Sequence, residues 1–315
     1  MSKILISGVK PSGRPHLGNY FGAMKQFVDL QDVHKSYIFI ADYHALTTLQ
    51  NPQEMSQNIL DMVLDYLAIG LDPKKVTIFK QSDVPQVHEL CWIFNCLTTM
   101  PYLMRAHAYK DSEAKDKEIN VGVFDYPILM AADILIQDSN VVPIGKDQKQ
   151  HVEYARDTAE KFNRIFGETF VLPEPLLLED VQTVPGIDGQ KMSKSYNNHI
   201  PLFATDEEIN KLVMSIVTDS SGSEPVNVRA IHSLFRDQAY LDTLYESNKG
   251  KYKALKEALA GDIIAFVTPL REKRAMLAQD MEYILDVLKE GGTHAKDRAE
   301  KKLEEVRGKV GVKLY

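Results

Sequence analysis

Short apolar segments alternate with helical segments over about the first 150 residues, and no other feature constrains the fold as strongly. Each apolar segment is four to six residues long, as in a buried strand, and is followed by a turn and a helical pattern. We therefore predict an α/β fold with a doubly wound parallel sheet, in which helices cross over between strands. The predicted strands are 3–7, 36–41, 76–79 and 140–144.

Strand signals end near Pro201, and the rest of the chain is predicted to be helical. Thr205 can cap a helix there, with Glu208 placed to bond back to it. We predict an α/β domain over residues 1–200 and an all-helical domain over 201–315. The last 25 residues hold seven Lys and Arg against four Asp and Glu, a net charge of +3. This excess fits a nucleic-acid contact and a solvated, ion-paired helix equally well, and the last helix is a candidate to pack back on the first domain.

Composition excludes several classes of protein. Hydrophobic residues make up 44% of the chain and charged residues 26%, which is typical of a globular protein rather than a disordered one. No apolar run approaches the ~18 residues of a membrane helix, and the N-terminus lacks a cleavage-site pattern. Two cysteines, Cys91 and Cys96, argue for a reducing compartment, so we expect a cytoplasmic protein with two buried thiols rather than a metal site.

A loop rich in Gly and Pro follows the first predicted strand and reads PSGRPHLGN. Gly13 and Gly18 remove side chains where a ligand could approach the backbone. A helix that begins near Leu17 would turn free N–H groups toward the loop, which favours an anion such as phosphate. His16 and Asn19 are three residues apart and can face the same pocket. A plain surface turn is the alternative, and the loop alone does not exclude it.

A second motif, KMSKS, lies in a polar stretch at 191–195. Lys191 and Lys194 are three residues apart, so both can pair with a polyphosphate as point charges. The alternative is a solvated linker, which most polar, lysine-containing stretches of this kind form. The pentapeptide is specific, however, and its combination with the first loop makes coincidence a poor explanation.

A third motif places Tyr126, Met130 and Asp133 on one face of one predicted helix. Asp133 stands in an apolar run, so its carboxylate must be paired or hydrogen-bonded. Tyr and Met beside one acceptor form a flat slot that suits an indole ring with its single N–H donor. A salt-bridged or capping Asp without a ligand fits this spacing equally well. The sequence suggests no second polar partner beside Asp133.

Two further polar residues follow predicted strands, at the edge where parallel sheets bind ligands. His44 follows the second strand and Gln148 follows the strand at 140–144. From placement alone, a structural role for His44 is the better interpretation.

The two loops together resemble the ATP motifs of class I aminoacyl-tRNA synthetases. His16, Leu17 and Gly18 match the first motif with Asn19 in its final position, and residues 191–195 match the second without a change. The stretches MAADIL at 130–135 and GKDQKQH at 145–151 resemble the tryptophan-specific members of that class. The resemblance covers essentially the whole chain. It implies a Rossmann-like catalytic domain, a helical domain that reads the tRNA anticodon, and a homodimer.

The resemblance also implies roles for individual residues. The catalytic residues would be His16, Asn19, Lys191 and Lys194. The residues that bind ATP would be Lys10, Pro11, Ser12, Gly18, Asn19, Gly145, Lys146, Asp147, Val184, Lys191, Met192, Ser193, Lys194 and Ser195. The residues that bind tryptophan would be Ile6, Gly8, His44, Tyr126, Met130, Asp133 and Gln148.

Three positions depart from the pattern of the family. Lys10 replaces an expected Gln and could contact the substrate carboxylate, contact the α-phosphate, or point away. Ile6 replaces a frequent Phe. Ser112 stands where a phosphate-binding Lys is often found, and Lys110, Lys115 or Lys117 could take that role.

The implied reaction is activation of L-tryptophan with ATP to tryptophanyl-adenylate and pyrophosphate, followed by transfer of tryptophan to tRNA. Mg²⁺ would bind through the ATP phosphates, with no metal site on the protein itself. Three alternatives are less well supported. A tyrosyl-tRNA synthetase needs a second polar partner beside Asp133 for the phenolic hydroxyl, and the sequence suggests none. A nucleotidyltransferase that makes a small cofactor needs neither the helical domain nor residues 191–195, and an RNA-binding relative without catalytic activity would not need His16, Gly18, Lys191, Lys194 and Asp133 intact.

Overall fold

Five parallel strands form one sheet in the computed structural model, which describes residues 3–105, 119–145, 149–177, 184–218 and 224–315. The strand order is β3-β2-β1-β4-β5, so the parallel α/β sheet predicted from the alternation is confirmed. The strands are β1 (Ile4–Val9), β2 (Lys35–Ile40), β3 (Val76–Lys80), β4 (Val141–Ile144) and β5 (Glu174–Leu177).

The helices before β5 cross over between strands. They are α1 (Leu17–Asn19), the π-helical segment Tyr20–Met24, α2 (Lys25–Leu30), α3 (Asp42–Ala45), α4 (Pro52–Ala68), α5 (Gln86–Leu97), α6 (Met100–Leu103), α7 (Val121–Ile136) and α8 (Lys149–Phe166). The helices after β5 are α9 (Asp206–Met214), α10 (Val226–His232), α11 (Gln238–Ser247), α12 (Tyr252–Leu277) and α13 (Met281–Val310). Within the described ranges, none of these helices is both long enough and apolar enough to cross a bilayer.

The strand order creates a crevice beside β1. The chain builds outward from β1 to β2 and β3, and then places β4 on the opposite side of β1. The loops that leave the carboxyl ends of β1 and β4 therefore diverge, and this is where doubly wound sheets bind their ligands. The loop after β1 begins at Lys10 and the loop after β4 begins at Gly145.

Each face of the sheet is covered by its own hydrophobic core, because successive side chains of a strand point to opposite faces. Leu5 of β1 lies in the first core with residues of α2 and α4. Its neighbour Ile6 lies in the second core with residues of α5, α7 and α8. Helices on both faces make the sheet doubly wound, as the sequence predicts.

The first core continues into the helices that follow β5. Ile209 of α9, Ile263 of α12 and Ile284 of α13 belong to the same cluster of buried side chains as Leu5 and Tyr66. The α/β part and the helical part thus share buried apolar surface. A domain boundary at residue 200 stays a prediction.

The last helix covers the open edge of the sheet. α13 packs against β3, which is an edge strand, and uncovered strand edges invite pairing with other chains. Gly291 makes this packing possible, because a Cβ there would overlap the backbone carbonyl of Ile78. Basic residues of the tail hold α13 to other elements: Arg307 pairs with Glu89 of α5 at 2.5 Å, and Lys302 pairs with Asp138, which follows α7, at 2.9 Å.

The expectation of two buried thiols is wrong for one of them. Cys91 is buried, but Cys96 is exposed. Both lie on α5, and five helical residues rotate a side chain by ~140° relative to the first. An apolar stretch therefore does not put both cysteines on the core face.

Replacement of Gly291 by alanine should destabilise the fold. The added methyl group meets backbone rather than a movable side chain, so α13 has to shift away from β3, at a cost of about 1–3 kcal/mol. The matched control is Gly308→Ala on the same helix, where a Cβ meets nothing within 4 Å. That change should raise stability by roughly 0.5–1 kcal/mol through helix propensity. Calorimetric unfolding midpoints check both, and equal midpoints for the two variants would contradict the packing argument.

Candidate active site

Polar side chains gather at the carboxyl edge of the sheet, next to the crevice beside β1. His44 lies on α3 directly after β2, and Gln81 directly follows β3. Asp133 approaches the same place from α7, whose first turn is capped by Asn120. The structure thus brings together residues from three separate parts of the chain.

Asp133 is the centre of this group and is 4% exposed. His44 Nε2 lies 3.0 Å from its Oδ2, and Gln81 Nε2 donates to both carboxylate oxygens at 2.9 and 3.0 Å. The expectation that Asp133 has no second polar partner is therefore wrong. Sequence reasoning missed Gln81, although its place directly after β3 is the same signal that singled out His44 after β2.

The electrostatics of Asp133 follow from its burial. Loss of water raises the pKa of its carboxyl group, and the hydrogen bond and charge of His44 together with the Gln81 amide act in the opposite direction. A carboxylate has about four acceptor positions, so these donors leave capacity for one more.

Tyr126 lies on α7, one helical turn before Met130 and about two before Asp133, where the sequence predicts a slot. Its ring lies 6.2 Å from that of His44, and its hydroxyl lies 3.2 Å from Nε2 of His151. Tyr126 and Met130 are both half-buried, as the side chains of a ligand slot should be. The three residues that the sequence assigned to one helix face do lie on one helix, α7.

Lys10 lies over the ring of Tyr126. Its ammonium nitrogen lies 5.8 Å from the centre of the Tyr126 ring. Partial desolvation lowers the pKa of Lys10. Whether this cation contacts the substrate carboxylate or the α-phosphate stays a prediction.

Gly8 and Ile6 lie on β1, the strand beside the crevice. Gly8 is exposed, and a Cβ there would lie 2.5 Å from the ring of Phe39 on β2. Ile6 is 1% exposed and lies within the second core. Glycine at position 8 therefore keeps Phe39 close to the strand and leaves the surface above it open.

His16 and Asn19 form a reciprocal cap at the start of α1. The backbone N–H of Asn19 donates to His16 Nδ1 at 3.2 Å, and the backbone N–H of His16 donates to Asn19 Oδ1 at 3.1 Å. Burial lowers the pKa of His16 to about 4, with further contributions from His199 and Lys194. His16 is thus neutral near pH 7, and since Nδ1 accepts a hydrogen bond, its proton is on Nε2.

The backbone N–H groups at the start of α1 are not free, contrary to the sequence-based expectation. The N–H of Leu17 donates to the carbonyl oxygen of Ile200 at 3.0 Å, and that of Gly18 donates to Met192 Sδ at 3.3 Å. With the Asn19 N–H bound to His16, the first-turn donors are all occupied. An anion at this end of α1 would have to be held by side chains.

The two sequence motifs are in contact. Lys194 Nζ donates to the carbonyl oxygens of Ser12 and Gly13 at 2.8 and 2.9 Å. Met192 is buried against Gly18. Burial lowers the pKa of Lys194, and the charge of Asp65 opposes this shift. The structure therefore holds residues 191–195 closed over the first loop.

The remaining predicted residues of this region lie around that contact. Lys191 is exposed and pairs its backbone with Pro185, while buried Val184 accepts a hydrogen bond from the Met192 N–H at 2.9 Å. Ser193 caps the short helical turn after it by accepting from the Ser195 N–H. Pro11 is buried, and Gly145 is half-buried directly after β4. The predictions for Lys146, Asp147 and Gln148, and the question about Lys110, Ser112, Lys115 and Lys117, fall outside the described residues.

Asp65 on α4 is a further charged residue that sequence reasoning missed. It is 2% exposed and accepts a hydrogen bond from Arg274 Nε of α12 at 2.6 Å. Burial raises the pKa of Asp65 to about 6 against the opposing charges of Arg274 and Lys194. An acidic residue within the apolar part of α4 was the available signal.

This arrangement has two parts with different chemistry. The first is a buried carboxylate near the half-buried ring of Tyr126, suited to a flat ligand with an N–H donor. The second is a loop with a neutral His16 and the ammonium group of Lys194, suited to an anionic ligand. Placed side by side, they favour a reaction that depends on positioning and charge stabilisation rather than on a nucleophilic side chain. Within the described ranges, no three His, Cys, Asp or Glu side chains are grouped to hold a metal ion.

Comparison with known proteins shows the family of this chain. The family model for class I tRNA synthetases (W and Y) matches residues 2–285. A tryptophan–tRNA ligase of Fusobacterium nucleatum is 49% identical over 316 residues, which cover 98% of this chain and 97% of that protein. A crystal structure of tryptophanyl-tRNA synthetase from Campylobacter jejuni, complexed with ADP and tryptophan, superposes with a TM-score of 0.90 at 42% identity and covers 98% of this chain and 99% of its own.

A tyrosyl-tRNA synthetase of Archaeoglobus fulgidus, complexed with L-tyrosine, superposes with a TM-score of 0.64 at 22% identity. That match covers 87% of this chain and 90% of the other, and it shows a shared fold alone.

The neutral state of His16 predicts a pH dependence of stability. The unfolded histidine binds a proton below about pH 6.5, whereas folded His16 binds one only near pH 4. As the pH decreases, the unfolded state therefore gains protons first. The free energy of unfolding should fall by up to about 1.4 kcal/mol for each pH unit between these two values. His16→Asn keeps a side-chain acceptor at the cap and should flatten this part of the curve in urea unfolding at several pH values. His294→Asn, at an exposed position of α13, is the control; identical curves for both variants would refute the assignment.

Proposed function

This chain belongs to the class I tRNA synthetases of the tryptophan and tyrosine type, and from that premise we propose that it joins L-tryptophan to tRNA with ATP. The observation that carries the proposal is the match of nearly the whole chain to tryptophan–tRNA ligases at 42–49% identity. The slot that ends at Asp133 supports it, because its acceptor is complementary to the indole N–H.

The first step requires no nucleophile from the protein. A carboxylate oxygen of tryptophan attacks the α-phosphorus of ATP, the bond to the bridging oxygen of the β-phosphate breaks, and pyrophosphate leaves. In the second step, a hydroxyl of the terminal ribose of tRNA attacks the carbonyl carbon of the adenylate, and AMP leaves. In both steps the protein acts by positioning the reactants and stabilising charge.

We assign the charge stabilisation to residues of the two motifs. Lys194 exchanges the carbonyl oxygens of Ser12 and Gly13 for phosphate oxygens, which accept more strongly because they are charged. Lys191 is the second cation of the same loop. His16 donates its Nε2–H to phosphate as a neutral group, and Asn19 holds that ring through the reciprocal cap.

We assign recognition of tryptophan to the slot. Asp133 accepts the indole N–H, Tyr126 and Met130 contact the ring, and His44 keeps the carboxylate in place. Lys10 faces the substrate carboxylate from the mouth of the slot. Since His44 and Gln81 are polar partners of Asp133, a missing partner no longer argues against tyrosine. The close relatives carry that argument instead.

Magnesium enters this proposal with ATP. Mg²⁺ prefers phosphate oxygens and water, so the nucleotide and not the protein supplies its ligands. When bound, the ion would neutralise part of the phosphate charge.

Three further points belong to the proposal. The helical residues 201–315 bind the tRNA anticodon region, and the enzyme works in the cytoplasm, where its tRNA substrate is charged. The enzyme is a homodimer, and exposed apolar side chains on or next to α5, α6 and α7 are candidates for its interface. These are Trp92, Met100, Met104 and Val121.

Amino-acid-dependent exchange of labelled pyrophosphate into ATP tests the proposed function. The assay is run with the full chain and each of the twenty amino acids in turn. Exchange with tryptophan alone is the expected result. Exchange with tyrosine alone, or with no amino acid, would overturn the proposal.

Lys194→Ala should slow formation of the adenylate far more than it weakens binding of tryptophan. Loss of one preorganised charge costs about 3 kcal/mol in the transition state, on the order of 10²-fold in rate. Single-turnover formation of the adenylate and equilibrium binding of tryptophan give the two quantities. Lys253→Ala, at an exposed position of α12, removes the same charge elsewhere and should change neither. A wild-type rate for the Lys194 variant would remove this lysine from the mechanism.

Asp133→Asn should impair amino-acid selection and leave the ATP site largely intact. Asparagine keeps the shape of the side chain but weakens the acceptor and adds a donor, so the tryptophan KM should rise by about 10- to 150-fold, which corresponds to roughly 1.5–3 kcal/mol. Discrimination against phenylalanine should fall, because a buried carboxylate left unpaired no longer penalises that ring.

The matched control is Asp125→Asn, a carboxylate on the same helix that contacts α5 through Asn95. Its kinetics in the exchange assay should match the wild type. Unaltered selection in a folded Asp133 variant would make that carboxylate purely structural.

A further inference from the structure

Asn198 is a buried polar residue that the assignments above do not use. It lies three residues after the KMSKS motif and is 2% exposed. Its amide makes three hydrogen bonds: Oδ1 accepts from the Ser193 N–H at 2.7 Å, and Nδ2 donates to Asp188 Oδ1 at 2.7 Å and to the Lys191 carbonyl at 3.1 Å. Because burial of an unpaired amide is costly, these bonds hold the side chain in a single orientation.

The three partners of Asn198 are distributed along the loop. Asp188 lies in the turn before the motif, Lys191 begins the motif and Ser193 is its central residue. The backbone of Asn198 adds a fourth connection, since its carbonyl accepts from the Ile187 N–H at 2.9 Å. Asn198 therefore connects the turn before the motif, the first residue of the motif and its central residue to the chain that follows the motif.

The loop is shaped to receive this side chain. Gly186 lies against Asn198, and a Cβ at that position would overlap the amide and lie 2.6 Å from the Asn198 carbonyl oxygen. Asp188 also accepts the Gln190 N–H at 3.0 Å, so its carboxylate is oriented before it meets Asn198. Glycine at 186 and a carboxylate at 188 are both required for the observed fit.

One hydrogen-bond partner of Asn198, Ser193, lies between the two residues that contact the first loop. Ser193, whose N–H binds Asn198, is flanked by Met192, which lies against Gly18, and by Lys194, which binds Ser12 and Gly13. A fixed Ser193 backbone fixes where both neighbours project. If it moves, the ammonium group of Lys194 moves with it.

We propose that Asn198 is a positioning residue, whose amide, oriented by Asp188, holds the 191–195 loop so that Lys194 meets the ATP phosphates. The inference rests on the proposed function, since it gives Asn198 its effect through the proposed role of Lys194. Displacement of a reacting group by about 1 Å can cost 10²-fold in rate. A change at Asn198 should therefore act on ATP kinetics and spare the tryptophan slot.

The test uses Asn198→Asp in the full chain. Aspartate has the same shape, but both donors are lost and its charge faces Asp188 and the Lys191 carbonyl. We expect kcat/KM for ATP in pyrophosphate exchange to fall 10- to 100-fold, while equilibrium binding of tryptophan stays within about twofold. Asn197→Asp is the matched control, because the neighbouring side chain is exposed, and it should retain wild-type kinetics.

A second variant separates positioning from general destabilisation. Asp188→Asn, added to Asn198→Asp, removes the repulsion between the two carboxylates and should recover part of the lost ATP kinetics. Asn198→Ala, which adds no charge, should show the same selective loss of ATP kinetics. The proposal would be overturned by wild-type ATP kinetics in folded Asn198→Asp. It would also be overturned if both single variants at position 198 lost tryptophan binding and unfolding midpoint in parallel with their ATP kinetics. Failure of the proposed function would appear instead as absent exchange in the wild type.

Discussion

The buried hydrogen-bond network of Asp133 is the interaction on which the slot depends. Gln81 accepts the backbone N–H of His44 at 3.2 Å and donates to Asp133, so it joins the ends of β2 and β3 to α7. Asp42 reinforces this junction by accepting from the Ser82 N–H at 3.0 Å. Each polar group in the network satisfies another, which is the condition under which a polar group can be buried at all. These hydrogen bonds therefore hold the side chains around Asp133 in place.

The phosphate side is assembled in a different way. Its parts come from loops that are distant in the sequence, and they meet through backbone donors and carbonyls rather than through a buried charge. The N–H groups at the start of α1 bond to Ile200 and Met192, and Lys194 binds the carbonyls of Ser12 and Gly13. The carbonyl contacts of Lys194 are exchangeable, because phosphate oxygens can compete for its ammonium group. The hydrogen-bonded slot and the exchangeable loop correspond to selection and to catalysis in the proposed reaction.

Sequence reasoning predicted the parts of this fold that depend on local pattern. Alternating apolar segments indicated the parallel strands β1 to β4, and helical spacing placed Tyr126, Met130 and Asp133 on α7. It missed β5, whose four residues include Pro175 and form a partly exposed edge strand, because proline and exposure both weaken the usual signal. Edge strands tolerate proline where central strands do not.

What could not be predicted depends on contacts between distant residues. The occupied N–H groups of α1 and the role of Gln81 become visible only once the chain is folded. Asn198 differs in that its partners are close in sequence. Its burial could not be predicted either, because no periodicity encodes it. The exposed Cys96 shows the opposite error, in which an apolar stretch was read as a core without regard to helical phase.

The closed position of Lys194 explains why its effect should be concentrated in the transition state. Its ammonium group already has two carbonyl acceptors, so an exchange of these for the phosphate oxygens of ground-state ATP replaces existing hydrogen bonds and gains only their difference in strength. As the bond to pyrophosphate breaks, negative charge grows on the leaving oxygen, and the interaction with a fixed cation strengthens with it. Interactions that are stronger in the transition state than in the ground state are those that raise kcat. A lysine that is hydrogen-bonded within its own protein before ATP arrives is thus well suited to catalysis. Little of its interaction free energy stabilises bound ground-state ATP, so most of it lowers the free energy of the transition state.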